Sequence, residues 1–234
     1  AGAKLETFSR AIHLMNMIHS VPDRLKQPDI AVAGAPVNRA KGVIITLHGR
    51  GASAAGILDL ADHLAQPDLA FIAPQARGGS WYPYSFLAPF EANQPFLDQA
   101  LATVSELLEA VSELGFPAQK TGLMGFSQGA CLALESAARH AQPLGAVLGF
   151  AGGLIGPPGA PRLYSGSLEG APVLLACSDI DPHIPLGRVE ETADVMSRMG
   201  ALVTKRIYPG FGHGINDDEI AQARRILVAM QGLD

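Results

Sequence analysis

The stretch Thr121-Gly-Leu-Met-Gly-Phe-Ser-Gln-Gly, residues 121–129, sets the architecture of this chain. An apolar run enters Gly-Phe-Ser-Gln-Gly, and a run of small residues typical of a helix follows from Ala130. When a strand reverses at a serine and leaves as a helix, the hydroxyl stands clear of the sheet. Gly125 and Gly129 flank the serine because side chains would collide across so tight a turn. The motif predicts that Ser127 is a nucleophile, and the alternative is a serine that caps the following helix.

Composition limits the class of protein. The 234 residues are 48% hydrophobic and 17% charged, with a net charge of −5. The length fits one large domain or two small ones, and the apolar content indicates a large core with a sheet buried on both faces. The acidic balance and the lack of a Lys/Arg cluster argue against nucleic-acid binding. No apolar stretch approaches the roughly 20 residues that span a bilayer, so stable membrane insertion is not expected.

Two segments are expected along the chain: an N-terminal amphipathic helix within residues 1–20 and a single α/β domain over residues 21–234. Apolar side chains recur on one helical face of residues 4–19. Its apolar stripe has three alternatives: it docks on the domain, on a second subunit in a homodimer, or on a membrane surface. The low density of Lys and Arg on its polar face favours docking on protein. Cys131 and Cys177 lie in apolar runs and are too few for a disulfide framework, so a reducing cytoplasm is the simplest compartment.

Strand and helix patterns alternate after residue 30. An edge strand is predicted near residues 30–33, further strands at 43–47, 69–73, 121–125, 145–150, 173–177 and 202–208, and helices at 54–65, 96–114, 128–140, 187–199 and 217–230. Such alternation predicts a parallel sheet with helices on both faces. In these sheets the active site lies at the carboxyl ends of the strands.

A serine hydroxyl needs a base, usually histidine, and a carboxylate that fixes the tautomer of that histidine. In this architecture the chain order is serine, acid, histidine. The sequence supplies Ser127, then Asp179 or Asp181, then His213 in a glycine-flanked loop after the last strand. His183, beside the candidate acids, is a rival base. The residue pattern alone leaves Asp179 and Asp181 as alternatives.

An oxyanion hole needs main-chain N–H groups aimed at the developing negative charge. Gln128, directly after the nucleophile, is expected to supply one of them. The loop His48-Gly-Arg-Gly, which follows the strand at 43–47, is expected to supply the other through the main-chain N–H of Arg50. The Arg50 side chain has two alternatives: it lies in solvent, or it enters the pocket and binds a carboxylate.

Four motifs carry a family resemblance: Leu-His-Gly-Arg-Gly at 47–51, Gly-Phe-Ser-Gln-Gly at 125–129, Ser-Asp-Ile-Asp-Pro-His-Ile-Pro at 178–185 and Gly-His-Gly at 212–214. Together they resemble the phospholipase/carboxylesterase family, which contains acyl-protein thioesterases and small bacterial carboxylesterases. The resemblance covers the chain from about residue 40 to its end. It implies the α/β-hydrolase fold, with a mostly parallel central sheet, helices on both faces and no large separate lid domain.

The resemblance also implies roles for individual residues. It makes Asp181 the catalytic acid and His213 the base, and it makes Gln128 and Arg50 the oxyanion donors. Many members of the family carry Leu followed by Gly-Asp where this chain has Arg50-Gly-Ala. That difference leaves the main-chain role intact and bears on the substrate preference.

A long aromatic loop at residues 76–95 completes the predicted site. Family members have a similar Ser-Trp-Phe/Tyr segment, which implies that Trp81, Tyr82 and Phe86 line the acyl or alcohol pocket. The alternative is that these aromatic side chains pin the loop to the core. No metal is expected, because dense ligand spacing such as H-E-x-x-H is absent, and no cofactor fingerprint occurs.

These features together predict a cytoplasmic serine carboxylesterase acting on short-to-medium acyl esters or thioesters through a Ser127–His213–Asp181 triad. One alternative is a hydrolase specific for the ester of a carboxylate-bearing or aromatic metabolite, selected by Arg50. Another is a catalytically silent α/β-hydrolase that serves as a ligand-binding or scaffold protein.

Overall fold

The computed structural model describes residues 29–232, and the helix and the domain boundary predicted near residue 20 lie outside them. Seven strands are present in the described chain: β1 (Ile30–Gly34), β2 (Gly42–Leu47), β3 (Leu69–Pro74), β4 (Thr121–Phe126), β5 (Ala146–Phe150), β6 (Pro172–Ser178) and β7 (Leu202–Tyr208). The α-helices are α1 (Ala54–Leu64), α2 (Phe96–Glu113), α3 (Gln128–Arg139), α4 (Leu186–Arg198) and α5 (Asp217–Gln231).

The strands form one sheet in the order β1-β3-β2-β4-β5-β6-β7. Strands β2 to β7 run parallel, and β1 pairs antiparallel with β3 at one edge. Every residue of β2 and β3 is buried, as expected for central strands covered on both faces. The predicted α/β-hydrolase architecture with a mostly parallel sheet is confirmed.

Two apolar clusters, one on each face of the sheet, hold the helices in place. Helices α1 and α5 pack against one face, where Ile44 and Phe71 are fully enclosed. Helices α2, α3 and α4 cover the other face, to which the neighbouring residues Val43 and Ile45 contribute. Alternate residues of a strand point to opposite faces, so each central strand feeds both clusters. Within residues 29–232, no helix combines the length and the hydrophobicity needed to cross a lipid bilayer.

Two glycines allow α3 to pack directly on the sheet. A Cβ atom on Gly125 would lie 2.3 Å from the carbonyl carbon of Gly129, and one on Gly129 would lie 2.0 Å from the Leu47 oxygen. Both separations are far below contact distance, so only glycine fits at either position. This close approach brings residue 127 to the carboxyl edge of the sheet, beside the loop that follows β2.

Candidate active site

Ser127 occupies the turn between β4 and α3 in a conformation that side chains rarely adopt, with φ of 55° and ψ of −118°. The Ser127 N–H donates to the Phe150 carbonyl oxygen at 2.9 Å, which ties the turn to the end of β5. Such strained main chain persists where the surroundings enforce it, and it clusters at functional sites. The Ser127 side chain makes no capping hydrogen bond with α3, so the helix-cap alternative is wrong.

His213 bridges Ser127 and Asp181. Its Nε2 atom lies 2.9 Å from Ser127 Oγ, and its Nδ1 atom lies 2.7 Å from Asp181 Oδ2. An ionised carboxylate only accepts hydrogen bonds, so Nδ1 carries the proton and Nε2 presents a lone pair to the serine hydroxyl. This arrangement can take a proton from Ser127, which is the chemistry that a serine nucleophile needs.

The Asp181 carboxylate is fully buried and hydrogen-bonded at both oxygens. Oδ1 accepts the main-chain N–H groups of His183 and Ile184 at 2.8 and 3.0 Å, and Oδ2 faces His213. Burial by itself would raise the pKa of Asp181, but the hydrogen bonds from His213 and the two N–H groups outweigh it and lower that pKa. Asp181 is therefore ionised near neutral pH and stabilises a positive charge on His213.

The two sequence alternatives, Asp179 and Asp181, occupy different places. Asp179 Oδ1 accepts the main-chain N–H of Gly210 at 2.8 Å, whereas Asp181 contacts the imidazole of His213. The rival base His183 meets His213 edge to face, with ring centroids 4.8 Å apart. Within the described chain it is His213 that hydrogen-bonds Ser127.

The two expected oxyanion donors lie beside Ser127. Gln128 is the first residue of α3, so its main-chain N–H has no partner within the helix. The main-chain N–H of Arg50 makes no hydrogen bond with any described residue. Both residues line the same cavity as Ser127. Their role as oxyanion donors stays a prediction.

His48 anchors the loop that carries Arg50. It is fully buried; its Nδ1–H donates to the Gly49 oxygen at 2.8 Å, and its Nε2 accepts the Ala76 N–H at 3.1 Å. Burial lowers the pKa of His48, although the bond to Gly49 partly opposes this. The ring is therefore neutral and joins the loops that follow β2 and β3. The sequence placed His48 at a strand end without indicating this structural role.

The Gln128 side chain holds the aromatic loop, a contact that no pattern in the sequence indicates. Its Nε2 donates to the Tyr82 oxygen at 2.8 Å, and its Oε1 accepts the Trp81 main-chain N–H at 3.0 Å. Gln128 is buried, and these two bonds satisfy both polar atoms of its side-chain amide. The residue directly after Ser127 thus fixes one wall of the cavity.

The Arg50 guanidinium braces the same loop from the rim of the cavity. Nη1 donates to Ser80 Oγ at 3.0 Å and to the Pro83 oxygen at 2.8 Å, and Nη2 donates to the Tyr84 oxygen at 2.6 Å. The guanidinium carbon also lies 5.9 Å from the centre of the Tyr82 ring. Arg50 is exposed to solvent and also lines the cavity, so each of the two alternatives describes part of its position. Its two terminal nitrogens donate to three neutral oxygens of the loop rather than to a carboxylate.

A cavity of about 630 Å³ opens over the triad. It is lined by Gly49, Arg50, Ala52, Tyr82, Pro83, Tyr84, Ser85, Phe86, Phe126, Ser127, Gln128, Cys131, His183, Ile184 and His213. Trp81 is not in this lining, because its Nε1–H donates to the His48 oxygen at 2.8 Å and its ring packs against His48. The contacts of Trp81 are those of the loop-pinning alternative. Tyr82 and Phe86 line the cavity, and their contact with a substrate stays a prediction.

The two cysteines near the site, Cys131 and Cys177, are buried free thiols. Burial raises the pKa of both Cys131 and Cys177 to about 12, so both thiols stay protonated. Within residues 29–232, no three His, Cys, Asp or Glu side chains come together as metal ligands would.

Known protein families, curated proteins and solved structures include relatives of this chain. The phospholipase/carboxylesterase family model matches residues 28–230. Acyl-protein thioesterase 1 of Eremothecium gossypii is 29% identical over 207 residues, covering 78% of this chain and 86% of the relative. The crystal structure of a phospholipase/carboxylesterase from Dyadobacter fermentans is 42% identical, with a TM-score of 0.83 over 86% of this chain and 97% of that chain.

A more distant structure has the same fold. The Bacillus cereus carboxylesterase is 21% identical, with a TM-score of 0.69 over 86% of this chain and 93% of that chain. The family match spans nearly all of the described residues, including the elbow, the acid loop and the histidine loop. The chain therefore belongs to the phospholipase/carboxylesterase family of α/β-hydrolases and is a serine hydrolase.

Proposed function

We propose that this chain is a serine carboxylesterase that hydrolyses short-to-medium acyl esters or thioesters through an acyl-enzyme intermediate. The observation that carries the proposal is the unbroken line of hydrogen bonds from Ser127 through His213 to Asp181, which faces a cavity open to substrate. Family membership supports esterase or thioesterase activity. The names of the relatives, carboxylesterase and acyl-protein thioesterase, support both kinds of leaving group.

Acylation begins when Ser127 Oγ attacks the carbonyl carbon and its proton passes to His213 Nε2. Ionised Asp181 then stabilises the imidazolium through the 2.7 Å contact. The main-chain N–H groups of Gln128 and Arg50 bind the oxygen that gains negative charge. Preorganised donors of this kind supply a large part of the rate enhancement in acyl transfer.

Collapse of the tetrahedral intermediate breaks the bond to the alcohol or thiol. His213 gives its proton to the departing oxygen or sulfur, which leaves Ser127 esterified. Water then attacks the acyl group, with His213 Nε2 as the base, and a second tetrahedral intermediate releases the carboxylic acid and restores Ser127. The same donors stabilise both intermediates.

The cavity favours an apolar acyl or alcohol group of limited size. Tyr82, Phe86 and Ile184 contribute buried apolar surface to its wall. A volume of about 630 Å³ lies in the ordinary range for small-molecule sites. These properties support short-to-medium chains over long ones.

The test compares the wild-type protein, Ser127→Ala and Asp181→Asn on p-nitrophenyl esters of increasing chain length and on matched thioesters. Each substitution should lower kcat by roughly 10³-fold or more, since triad members act as a unit. Asp194→Ala, an exposed change on α4, should leave kcat unchanged. A wild-type protein that neither hydrolyses any substrate of the panel nor reacts with a fluorophosphonate probe would contradict the proposal, as would a fully active Ser127→Ala variant.

A further inference from the structure

The loop that carries His213 is tied to the acid loop by three hydrogen bonds made by residues outside the triad. The Gly210 N–H donates to Asp179 Oδ1 at 2.8 Å, and the Gly212 N–H donates to Ser178 Oγ at 3.1 Å. The Asp179 N–H donates to the Tyr208 oxygen at 3.4 Å. The first of the two aspartates in Asp-Ile-Asp therefore contacts the chain three residues before His213, while the second contacts His213 itself.

Packing does little to fix the main chain at these two donors. Gly210 and Gly212 have φ values of 70° and 85°, and a Cβ atom built on either would meet no heavy atom within 4 Å. Glycines at positive φ have the widest conformational freedom of any residue. Hydrogen bonds rather than side-chain contacts therefore determine where this part of the loop lies.

Other contacts restrain the His213 ring and the part of the loop that follows it. The rings of Phe126 and His183 lie 5.0 and 4.8 Å from the imidazole. A capping box joins Asn216 to Glu219 where the loop enters α5. These contacts restrain the ring and the far end of the loop, whereas the near end, at Gly210, depends on Asp179.

We propose that Asp179 is a positioning residue, whose carboxylate oxygen holds the His213 loop so that the imidazole meets Ser127 and Asp181 at once. The inference rests on the proposed function of the triad. His213 must keep contacts of 2.9 and 2.7 Å on opposite sides of one ring, so a small shift of the loop lengthens at least one of them. Misplacement by about 1 Å can cost roughly 10²-fold in rate.

The role requires a hydrogen-bond acceptor at residue 179 and does not require its charge. An asparagine offers a side-chain oxygen of the same reach, whereas alanine leaves the Gly210 N–H without its partner. At residue 181 the requirement differs, because there the charge must stabilise the imidazolium. Asparagine should therefore rescue function at 179 and fail at 181.

The test measures kcat and KM on one p-nitrophenyl ester for Asp179→Ala, Asp179→Asn and the control Asp194→Ala, with thermal unfolding of each. Asp179→Ala should lower kcat by about 10- to 100-fold with KM within about twofold, while Asp179→Asn stays within about threefold of wild type. An Asp179→Ala kcat within twofold of wild type would overturn the inference. So would an Asp179→Asn variant as impaired as Asp179→Ala, since charge would then be the requirement.

Ser178→Ala, which removes the neighbouring bond to Gly212, keeps the inference open to test if Asp179→Ala fails to fold. It should lower kcat in the same direction, again with KM unchanged, and an unaffected kcat would count against the loop being held in this way. Inactivity of the wild-type protein would overturn the proposed function together with this inference. An active wild type, an inactive Ser127→Ala and an unimpaired Asp179→Ala would overturn the inference alone.

Discussion

Glu219→Gln should make the protein more stable at alkaline pH and should change its stability far less at acidic pH. Glu219 is 1% exposed in the first turn of α5, where its Oε2 accepts the Asn216 N–H at 2.6 Å. Burial raises the pKa of this carboxyl from its ordinary 4.5 to about 7, against the lowering effect of the bond from Asn216. A glutamine is neutral at every pH and its side-chain oxygen can accept the same hydrogen bond.

The magnitude follows from the two pKa values. Below pH 4.5 the carboxyl is protonated in both the folded and the unfolded chain, so the group has no net effect. Between pH 4.5 and 7 only the folded chain keeps the proton, and the free energy of unfolding falls as the pH rises. Well above pH 7 the full loss is about 3.5 kcal/mol, from a difference of about 2.5 in pKa at about 1.4 kcal/mol for each pKa unit.

Urea unfolding of the wild-type protein and of Glu219→Gln at pH 5 and pH 8.5 checks this prediction. The stability difference between the two proteins should shift in favour of the variant by about 2–3 kcal/mol from the lower to the higher pH. Glu106→Gln, at an exposed position of α2, should give the same difference at both pH values. If the stability difference between Glu219→Gln and the wild type also changed by less than about 0.5 kcal/mol between the two pH values, the argument that burial holds a proton on Glu219 would be refuted.

Two further substitutions test the elbow and the cavity wall. In thermal unfolding, Gly129→Ala should destabilise the fold by more than about 3 kcal/mol, because its Cβ would lie 2.0 Å from the Leu47 oxygen. The control Gly187→Ala lies in the first turn of α4, where its Cβ would meet no atom within 4 Å. It should be neutral or slightly stabilising in that measurement. Arg50→Lys should raise KM several-fold for neutral esters and speed proteolysis of the 80–86 loop, since an ammonium cannot reproduce the forked contacts with Ser80, Pro83 and Tyr84. An unchanged KM and an unchanged cleavage rate would show that the loop keeps its position without the Arg50 guanidinium.

Local signals predicted most of the regular structure. The strand predicted at residues 202–208 coincides with β7 at Leu202–Tyr208. Asn216, directly before the last helix, forms a capping box with Glu219, and an asparagine directly before a helical run is a local signal of a helix start. These features depend on residues that are close together in the chain, which is why the residue pattern suffices for them.

Features that depend on contacts between residues distant in the chain could not be predicted from the sequence. The segment at Ile30–Gly34 was recognisable as an edge strand, but its antiparallel direction is set by pairing with β3 some 40 residues away. Trp81 lies behind the cavity because its indole N–H meets the oxygen of His48, 33 residues earlier in the chain. Asp179 and Asp181 have the same chemistry and nearly the same position, and only the folded loops decide which of them faces His213.

The wall formed by the aromatic loop is held through its main chain. Gln128 binds the Trp81 N–H and the Tyr82 oxygen, Arg50 binds the Pro83 and Tyr84 oxygens, and the Tyr84 N–H donates to Asn93 Oδ1 at 2.8 Å. The path of the loop at residue 84 is thus largely independent of the side chain there, whereas the Pro83 ring itself restricts the main chain. A protein engineer can diversify residue 84, which lines the cavity, and expect new pocket chemistry on an unmoved backbone, much as antibody frameworks carry variable loops.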